Sequence, residues 1–333
     1  MKPYADLQPR GQIARLRQLG QAALAYYDLP PAQLTLLAHQ EATIFRVDTA
    51  AGDRFTLRIY NPAYYQPGEI LPPLLWLDAL GRETDLIVPA PRATRDGRLW
   101  VEAGAPGVPE ARPCVLARWV GGHFRNRSLN PARLAAVGAV IAALHNHAAG
   151  FRPPIGTPQV WNWDRKFGTE SVFAPGPYWV TMADEDRATL QAVAAPLRAA
   201  TAQLGTGHAV YGIIHADPHQ ENYLFQAKAV GIIDFGDCGL GYYLYDLAVT
   251  TTVLGETGSP DIPALRAGLL AGYRSVRPLP ATSEALLDLF IAARWVHLLN
   301  WMGRSTSAQQ QARAVRFAPY AARKVRELLP PAQ

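Results

Sequence analysis

The sequence predicts an α+β chain of two lobes: a small antiparallel β-rich N-terminal lobe and a larger, mainly helical C-terminal lobe. Three observations carry this. Apolar runs separated by turn-forming tips recur from Leu34 to Val120. From Ala132 onward the apolar residues fall at helical spacing instead. Between the two regimes lies Gly121-Gly122, which places the lobes at residues 1–120 and 121–333. Hydrophobic residues make up 49% of the 333 and charged residues 18%, a balance that predicts packed cores rather than disorder.

Taken in order, residues 10–28 read as a helix with Ile13, Leu16, Leu19, Ala22 and Leu24 on one side. Leu34–Thr49 contains two strand-like pieces. Arg46–Thr49 and Arg54–Tyr60 then form a hairpin about Ala50-Ala51-Gly52-Asp53. A short helix, Leu74–Leu80, follows Pro72-Pro73, where proline is tolerated because early helical N–H groups lack intrahelical partners. Ala90–Arg95 and Leu99–Glu102 flank Asp96-Gly97 as another hairpin. Cys114–Val120 is a buried strand. In the second lobe, Ala132–His147 is a helix behind Pro131, and Ala183–Leu204 a long alanine-rich one. Helices near Leu244–Leu254, Pro263–Ala271, Ser283–Met302 and Ala308–Leu329 complete the chain, and no internal repeat is visible.

Composition excludes several classes. The formal charge is +5, but it comes mostly from scattered arginines, with no run of five Lys/Arg and no nucleic-acid motif. Solubility and attraction for a polyanionic small molecule account for it, so no nucleic-acid partner is expected. Cys114 and Cys238 are too few for a disulfide framework. No segment resembles a signal peptide or reaches the length of a membrane span. The expected protein is cytoplasmic, off the membrane, and a monomer or homodimer.

The chemistry concentrates in His215-Ala216-Asp217-Pro218-His219-Gln220-Glu221-Asn222 and Ile233-Asp234-Phe235-Gly236. Between them, Tyr223–Phe225 and Val230–Ile233 read as a hairpin with a polar tip. The Asp-to-Asn spacing is that of a kinase catalytic loop, and the Asp-Phe-Gly follows at hairpin distance. An alcohol attacking a γ-phosphate must lose its proton, and Asp217 is placed as acceptor. Asn222 supplies a neutral oxygen ligand and Asp234 an anionic one for a magnesium ion. His215 is expected to support the loop by packing and hydrogen bonding. The four-residue spacing to His219 is no metal pair, since Pro218 intervenes and no third ligand is evident.

With Tyr245-Asp246-Leu247-Ala248 added, these motifs resemble the aminoglycoside phosphotransferase and choline kinase family. Val115–Val120 and Ala143-Leu144-His145 also match. Trp161-Asn162-Trp163-Asp164 is similar to the bacterial branch containing stress-response and homoserine kinases. The resemblance implies a protein-kinase-like fold, ATP or GTP as co-substrate and Mg2+ as cofactor. It makes the first lobe nucleotide-binding and the second catalytic. It further implies that Thr43 and Arg58 face phosphates, that backbone groups near Arg118 and Val120 face the base, and that Leu224 and Ile233 form an apolar floor.

Three departures stand out. The loop Leu37–Ile44 has no glycine; Arg58 stands where the family has lysine; Pro73 occupies a position that is often Glu, with Glu69 one turn earlier. These keep a catalytically weak nucleotide-binding regulator as an alternative, alongside a stress-response-type protein Ser/Thr kinase. The favoured acceptor is a small-molecule hydroxyl, because little sequence separates Asp234 from Tyr245 and no peptide platform is visible. Asp164, Glu170 and the segment Trp295–Arg304 are candidate acceptor walls. Trp295 and Trp301, six apart on one helix, do not make a shared aromatic face.

Overall fold

The computed structural model describes residues 2–65, 67–126, 128–157, 162–168, 173, 179, 181–227, 229–252, 254, 261–305 and 307–329. Two compact units emerge. The first runs through Gly122 and includes Gly231–Ile233; the second holds most of the remainder, including Asp234 onward.

In the first unit, helix α1 (Pro9–Leu24) buries Leu16, Leu19, Gly20, Ala23 and Leu24, spaced to form one stripe. The stripe lies on a five-stranded antiparallel sheet in the order β1-β2-β3-β5-β4. Its strands are β1 (Ala32–His39), β2 (Ala42–Thr49), β3 (Arg54–Tyr60), β4 (Val101–Ala103) and β5 (Arg112–Arg118). Phe45 and Val47, Leu57 and Ile59, Cys114 and Leu116 turn one face toward α1, as the two-residue period requires. Tyr60 and Val115 join a smaller cluster with Ile70 and Leu74 of α2 (Pro67–Glu83).

Two readings of this unit need correction. Helix α2 starts well before Leu74, so Pro72 and Pro73 lie inside it. Each ring forgoes one intrahelical bond, and the buried Ile70, Leu74, Trp76, Leu77 and Leu80 hold the helix by packing instead. The Asp96-Gly97 turn forms, with Gly97 at φ 81°, but its first arm is no strand. Pro89 and Pro91 lack N–H groups, and the arm meets β5 through an isolated bridge from Pro91 to Ala117, flanked by Arg92 N–H to Leu116 O at 2.7 Å and Arg118 N–H to Ala90 O at 2.8 Å.

In the second unit, Asn130 caps α3 (Pro131–Gly150) by accepting from Arg133 N–H, with Pro131 at the first position. Helix α3 packs closely on α8 (Ile262–Arg274): a Cβ added at Gly272 would lie 1.8 Å from Ala135 O, and one at Gly138 2.0 Å from Leu269 O. Those glycines bring the two backbones together and set His145 beside Tyr273. The expected long helix over 183–204 is two, α5 (Asp184–Ala192) and α6 (Ala194–Leu204), because Pro196 cannot donate back to Ala192. Likewise α9 (Ala281–Glu284) precedes α10 (Leu287–Gly303), and α11 (Ala308–Leu328) follows. Short elements that the sequence reading did not find are α4 (Trp163–Phe167), β6 (Tyr211–Ile214) and β9 (Gly239–Tyr242). Helix α7 (Tyr243–Thr252) is buried along its whole length.

Strands β6 and β9 pair antiparallel, with Ile214 opposite Gly239. This register sets the start of the loop after β6 against the end of the loop before β9. Between those loops, β7 (Tyr223–Phe225) and β8 (Val230–Ile232) form a two-stranded hairpin closed by Gln226 N–H to Ala229 O at 2.8 Å. Asn222, just before β7, and Asp234, just after Ile233, therefore lie at the same end of the hairpin. No helix among the described residues is long and apolar enough to cross a membrane.

Candidate active site

The loop His215–Asn222 is fixed from behind by helix α7. Asp246 is fully buried and accepts three hydrogen bonds: His215 N–H at 2.9 Å, Ala216 N–H at 2.8 Å, and His145 Nε2–H at 3.0 Å. One helical turn later Thr250 Oγ1 donates to Pro218 O at 2.8 Å, and Tyr223 Oη donates to Thr250 Oγ1 at 2.7 Å. The four-residue spacing puts Asp246 and Thr250 on one face, so a single helix holds both ends of the loop. Ala216 adopts the left-handed conformation, φ 66°, at the position where the resembling family has glycine. The bonds to Asp246 hold it there. His215 packs against Phe235 at 4.5 Å and its Nδ1 accepts Asp217 N–H at 3.3 Å, which is the supporting role expected of it.

His145 bridges Asp246 and Tyr273 Oη (2.9 Å), and burial lowers its pKa despite the neighbouring carboxylate. His297, also buried, is lowered further, by burial and then by the charges of Lys166 and Arg294. Each therefore takes up a proton less readily in the folded chain than in the unfolded one, where the ring titrates at about pH 6.5. The unfolded state then binds more protons, so stability falls as pH drops through that value, by at most about 1 kcal/mol per pH unit for each histidine. The melting temperature is expected to fall between pH 7.5 and 5.5; an equal or higher value at pH 5.5 refutes this.

On this scaffold Asp217 has both carboxylate oxygens engaged. Oδ1 takes Nη2 of Arg294, and Oδ2 faces His219 Nε2 at 3.3 Å. His219 Nδ1 accepts Glu221 N–H at 3.2 Å, so the proton of a neutral ring sits on Nε2, toward Asp217. Burial would raise the Asp217 pKa, but Arg294 and His219 outweigh it and hold the carboxyl well below its usual range. Asn222 is buried and donates Nδ2–H to Asp217 O at 2.9 Å, which leaves its amide oxygen for another partner. Asp234 opens the 3-10 turn Phe235–Asp237 in the left-handed conformation, φ 65°, and is exposed. Water also reaches Asp237, yet so much protein surrounds it that burial raises its pKa, with Lys166 opposing. Asp217, Asn222 and Asp234 thus share one unit and one hairpin end, and Leu224 is buried on β7 beside them.

The remaining candidates lie in the first unit. Arg58 pairs with Ile44 and Val115 in the sheet, lies over the Tyr60 ring at 5.2 Å and donates to Tyr65 Oη at 3.2 Å. Thr43 is buried at the β1–β2 turn, with its hydroxyl 2.8 Å from His39 Nδ1. Arg118 donates its backbone N–H to Ala90 O at 2.8 Å, and its side chain is exposed. Val120 is buried, and Ile233 half-buried. Glu69 sits in the first turn of α2. Trp161 and Glu170 lie outside the described residues.

Sequence reasoning missed Arg294, the His219–Asp217 contact and Lys166. The signal for Arg294 was present: it is the one cation of α10, in an apolar stretch running from Leu289 to Leu299, where a buried charge demands a partner. Trp295 is buried against Phe317 and Tyr320, whereas Trp301 is largely exposed, so the two do not build a cage.

A strand-rich unit, a helical unit, and a His-x-Asp loop with Asn and Asp-Phe-Gly at one hairpin end define a protein-kinase-like phosphotransferase. The chain belongs to the phosphotransferase enzyme family, which matches residues 33–279. It is 31% identical over 283 residues to an uncharacterised protein of Deinococcus radiodurans, spanning 83% of this chain and 78% of that one. It is 30% identical to a homoserine kinase of Neisseria meningitidis serogroup B, over 71% of this chain and 72% of the relative. Among solved structures, a microcompartment-associated aminopropanol kinase superimposes with a TM-score of 0.77 at 30% identity, covering 95% of this chain and 97% of that one. The resemblance to aminoglycoside phosphotransferases and choline kinases is thereby upheld at the level of family and fold.

Proposed function

We propose that this phosphotransferase is a Mg2+-dependent kinase that moves the γ-phosphate of ATP or GTP to a hydroxyl of a small molecule such as an amino alcohol or amino sugar. The observation that carries the reading is the oriented carboxylate of Asp217 at the hairpin end that also presents Asn222 and Asp234. Relatives named for homoserine and aminopropanol, both hydroxylated amines, support the acceptor class.

The donor set fits a hard divalent cation. Asn222 has its amide nitrogen occupied and its oxygen available, and Asp234 adds an anionic oxygen; Mg2+ takes few protein oxygens and keeps several waters. When bound, the cation would neutralise charge on the phosphate oxygens. Asp217 orients the acceptor hydroxyl and receives its proton as the acceptor oxygen bonds to phosphorus. The bond from phosphorus to the bridging oxygen breaks, and the nucleoside diphosphate leaves with that electron pair. Because phosphoryl transfer is loose, orientation outweighs base strength, which suits a carboxylate of low pKa.

We assign Arg58 to the phosphates, and Thr43 to shaping the β1–β2 turn of the same unit through its contact with His39. Backbone groups near Arg118 and Val120 are assigned to the base, with Leu224 and Ile233 as its apolar floor. Removing a charge-assisted contact of this kind costs about tenfold or more in affinity. Arg58→Gln is therefore expected to raise the KM for MgATP by about tenfold or more while kcat changes less. An unchanged KM in that variant would take Arg58 out of the nucleotide site.

The deciding experiment is an ADP-release screen over homoserine, aminopropanol, choline and amino sugars, with Asp217→Asn as blank. Turnover of one acceptor above that blank upholds the reading. A MgATP-dependent thermal shift with no turnover of any acceptor replaces it with a nucleotide-binding regulator.

A further inference from the structure

We propose that Arg294 is a positioning residue for phosphoryl transfer: from the buried face of α10 it holds one oxygen of the Asp217 carboxylate, so that the other faces the acceptor. The inference rests on the kinase reading above, and it adds a residue that no loop motif contains.

The geometry is specific. Arg294 Nη2 donates to Asp217 Oδ1 across 77 positions of sequence, and the arginine side chain is only 7% exposed. A carboxylate alone rotates about its last torsion with two equivalent ends. With Oδ1 held, that rotation is stopped. Oδ2 carries His219 Nε2–H at 3.3 Å and retains a second lone pair for an acceptor O–H.

Arg294 is itself braced. Arg294 donates to Tyr245 Oη of α7, and Tyr245 in turn donates its hydroxyl to His297 Nδ1 at 2.7 Å, a nitrogen that lies 3.4 Å from Arg294 Nη1 on the next turn of α10. Tyr245, through Arg294, therefore links the helix that anchors the catalytic loop to the carboxylate on that loop. Stability alone does not explain it. A buried arginine must be stripped of water, Nε of this one has no hydrogen-bond partner among the described residues, and buried ion pairs often do no better than apolar residues of the same volume. An ion pair retained at the reacting carboxylate is accounted for by orientation, where displacement of about 1 Å costs on the order of a hundredfold in rate.

The test uses Arg294→Met, Arg294→Lys and Arg294→Ala in the full chain, with MgATP and homoserine or aminopropanol, whichever turns over faster. Arg294→Met is expected to lose about a hundredfold in kcat with the KM for MgATP within about threefold. Arg294→Lys should fall between it and the parent. Millimolar guanidinium should restore part of the rate to Arg294→Ala and none to Arg294→Met, whose side chain fills the space. In the Asp217→Asn background, Arg294→Met should cost little more, since the group it positions is already gone. MgATP-dependent thermal shifts certify that each variant is folded; if Arg294→Met is not, Arg294→Lys with the guanidinium series decides. Folded Arg294→Met with kcat within threefold of the parent, or no guanidinium rescue together with a fully active Arg294→Lys, overturns the inference. Full activity of Asp217→Asn instead overturns the kinase assignment of Asp217, which separates the two failures.

Discussion

Asp217→Asn is expected to bind MgATP as the parent does and to lose at least about a hundredfold in kcat. The substitution is nearly isosteric, so packing under Pro218 and the backbone bond from Asn222 to residue 217 persist. Two properties change. The amide cannot take a proton, so the acceptor hydroxyl has nowhere to deliver its own. The orientation also inverts. Arg294 presents only donors, so the amide oxygen turns to Arg294 and the NH2 turns outward, toward His219 and the acceptor. A donor then meets the acceptor O–H and reverses the hydrogen bond that should align it. Leaving the buried Arg294 without a full counter-charge also costs about 1–2 kcal/mol of stability, less than outright removal of the partner because the amide oxygen still accepts. Steady-state kinetics with MgATP titration checks the first expectation and thermal unfolding the second. Undiminished turnover would refute the assignment of Asp217.

The second large effect is expected at a residue that touches no substrate. Asp246→Ala should lower the melting temperature by about 5–10 °C and reduce turnover below a hundredth of the parent at temperatures where the variant is folded. Three buried donors, the N–H groups of His215 and Ala216 and the ring N–H of His145, lose their only common acceptor. Each unmade bond in a dry interior costs about 1–3 kcal/mol. Ala216 is held in a left-handed conformation that a residue with a Cβ resists, and without Asp246 nothing offsets that cost. The peptide is then expected to relax, and Asp217, the next residue, to leave its place against Arg294. Asp246→Asn is the sharper control: it keeps volume and one acceptor but points an NH2 at a donor, so it should be nearly as damaging. A folded Asp246→Ala with a normal melting temperature and normal kcat would show that the loop holds itself.

Much of this was legible in the residues. Hydrophobic period and turn chemistry gave the strands of the first unit and most helices of the second, because each is decided over a few neighbours. The errors fell where packing overrode a local rule or where composition masked one. Helix α2 runs through Pro72-Pro73 because its apolar residues are buried, and the 183–204 helix breaks at a proline whose effect the alanine-rich composition concealed. In the site, the order His215, Asp217, Asn222, Asp234 stands in the linear chain, since loop and hairpin are contiguous.

By itself, then, the sequence determined a strand-rich unit before a helical one, phosphotransferase chemistry, and the identity of the three oxygen-bearing side chains at the hairpin end. Only the tertiary structure decided what orients them. Arg294 reaches Asp217 from 77 residues away, Asp246 reaches Ala216 from 30, and His145 meets Asp246 across 101. Such partners follow no local period. They are chosen by which helix faces are buried together, and a buried charge or N–H group is satisfied by whatever the packing brings within reach.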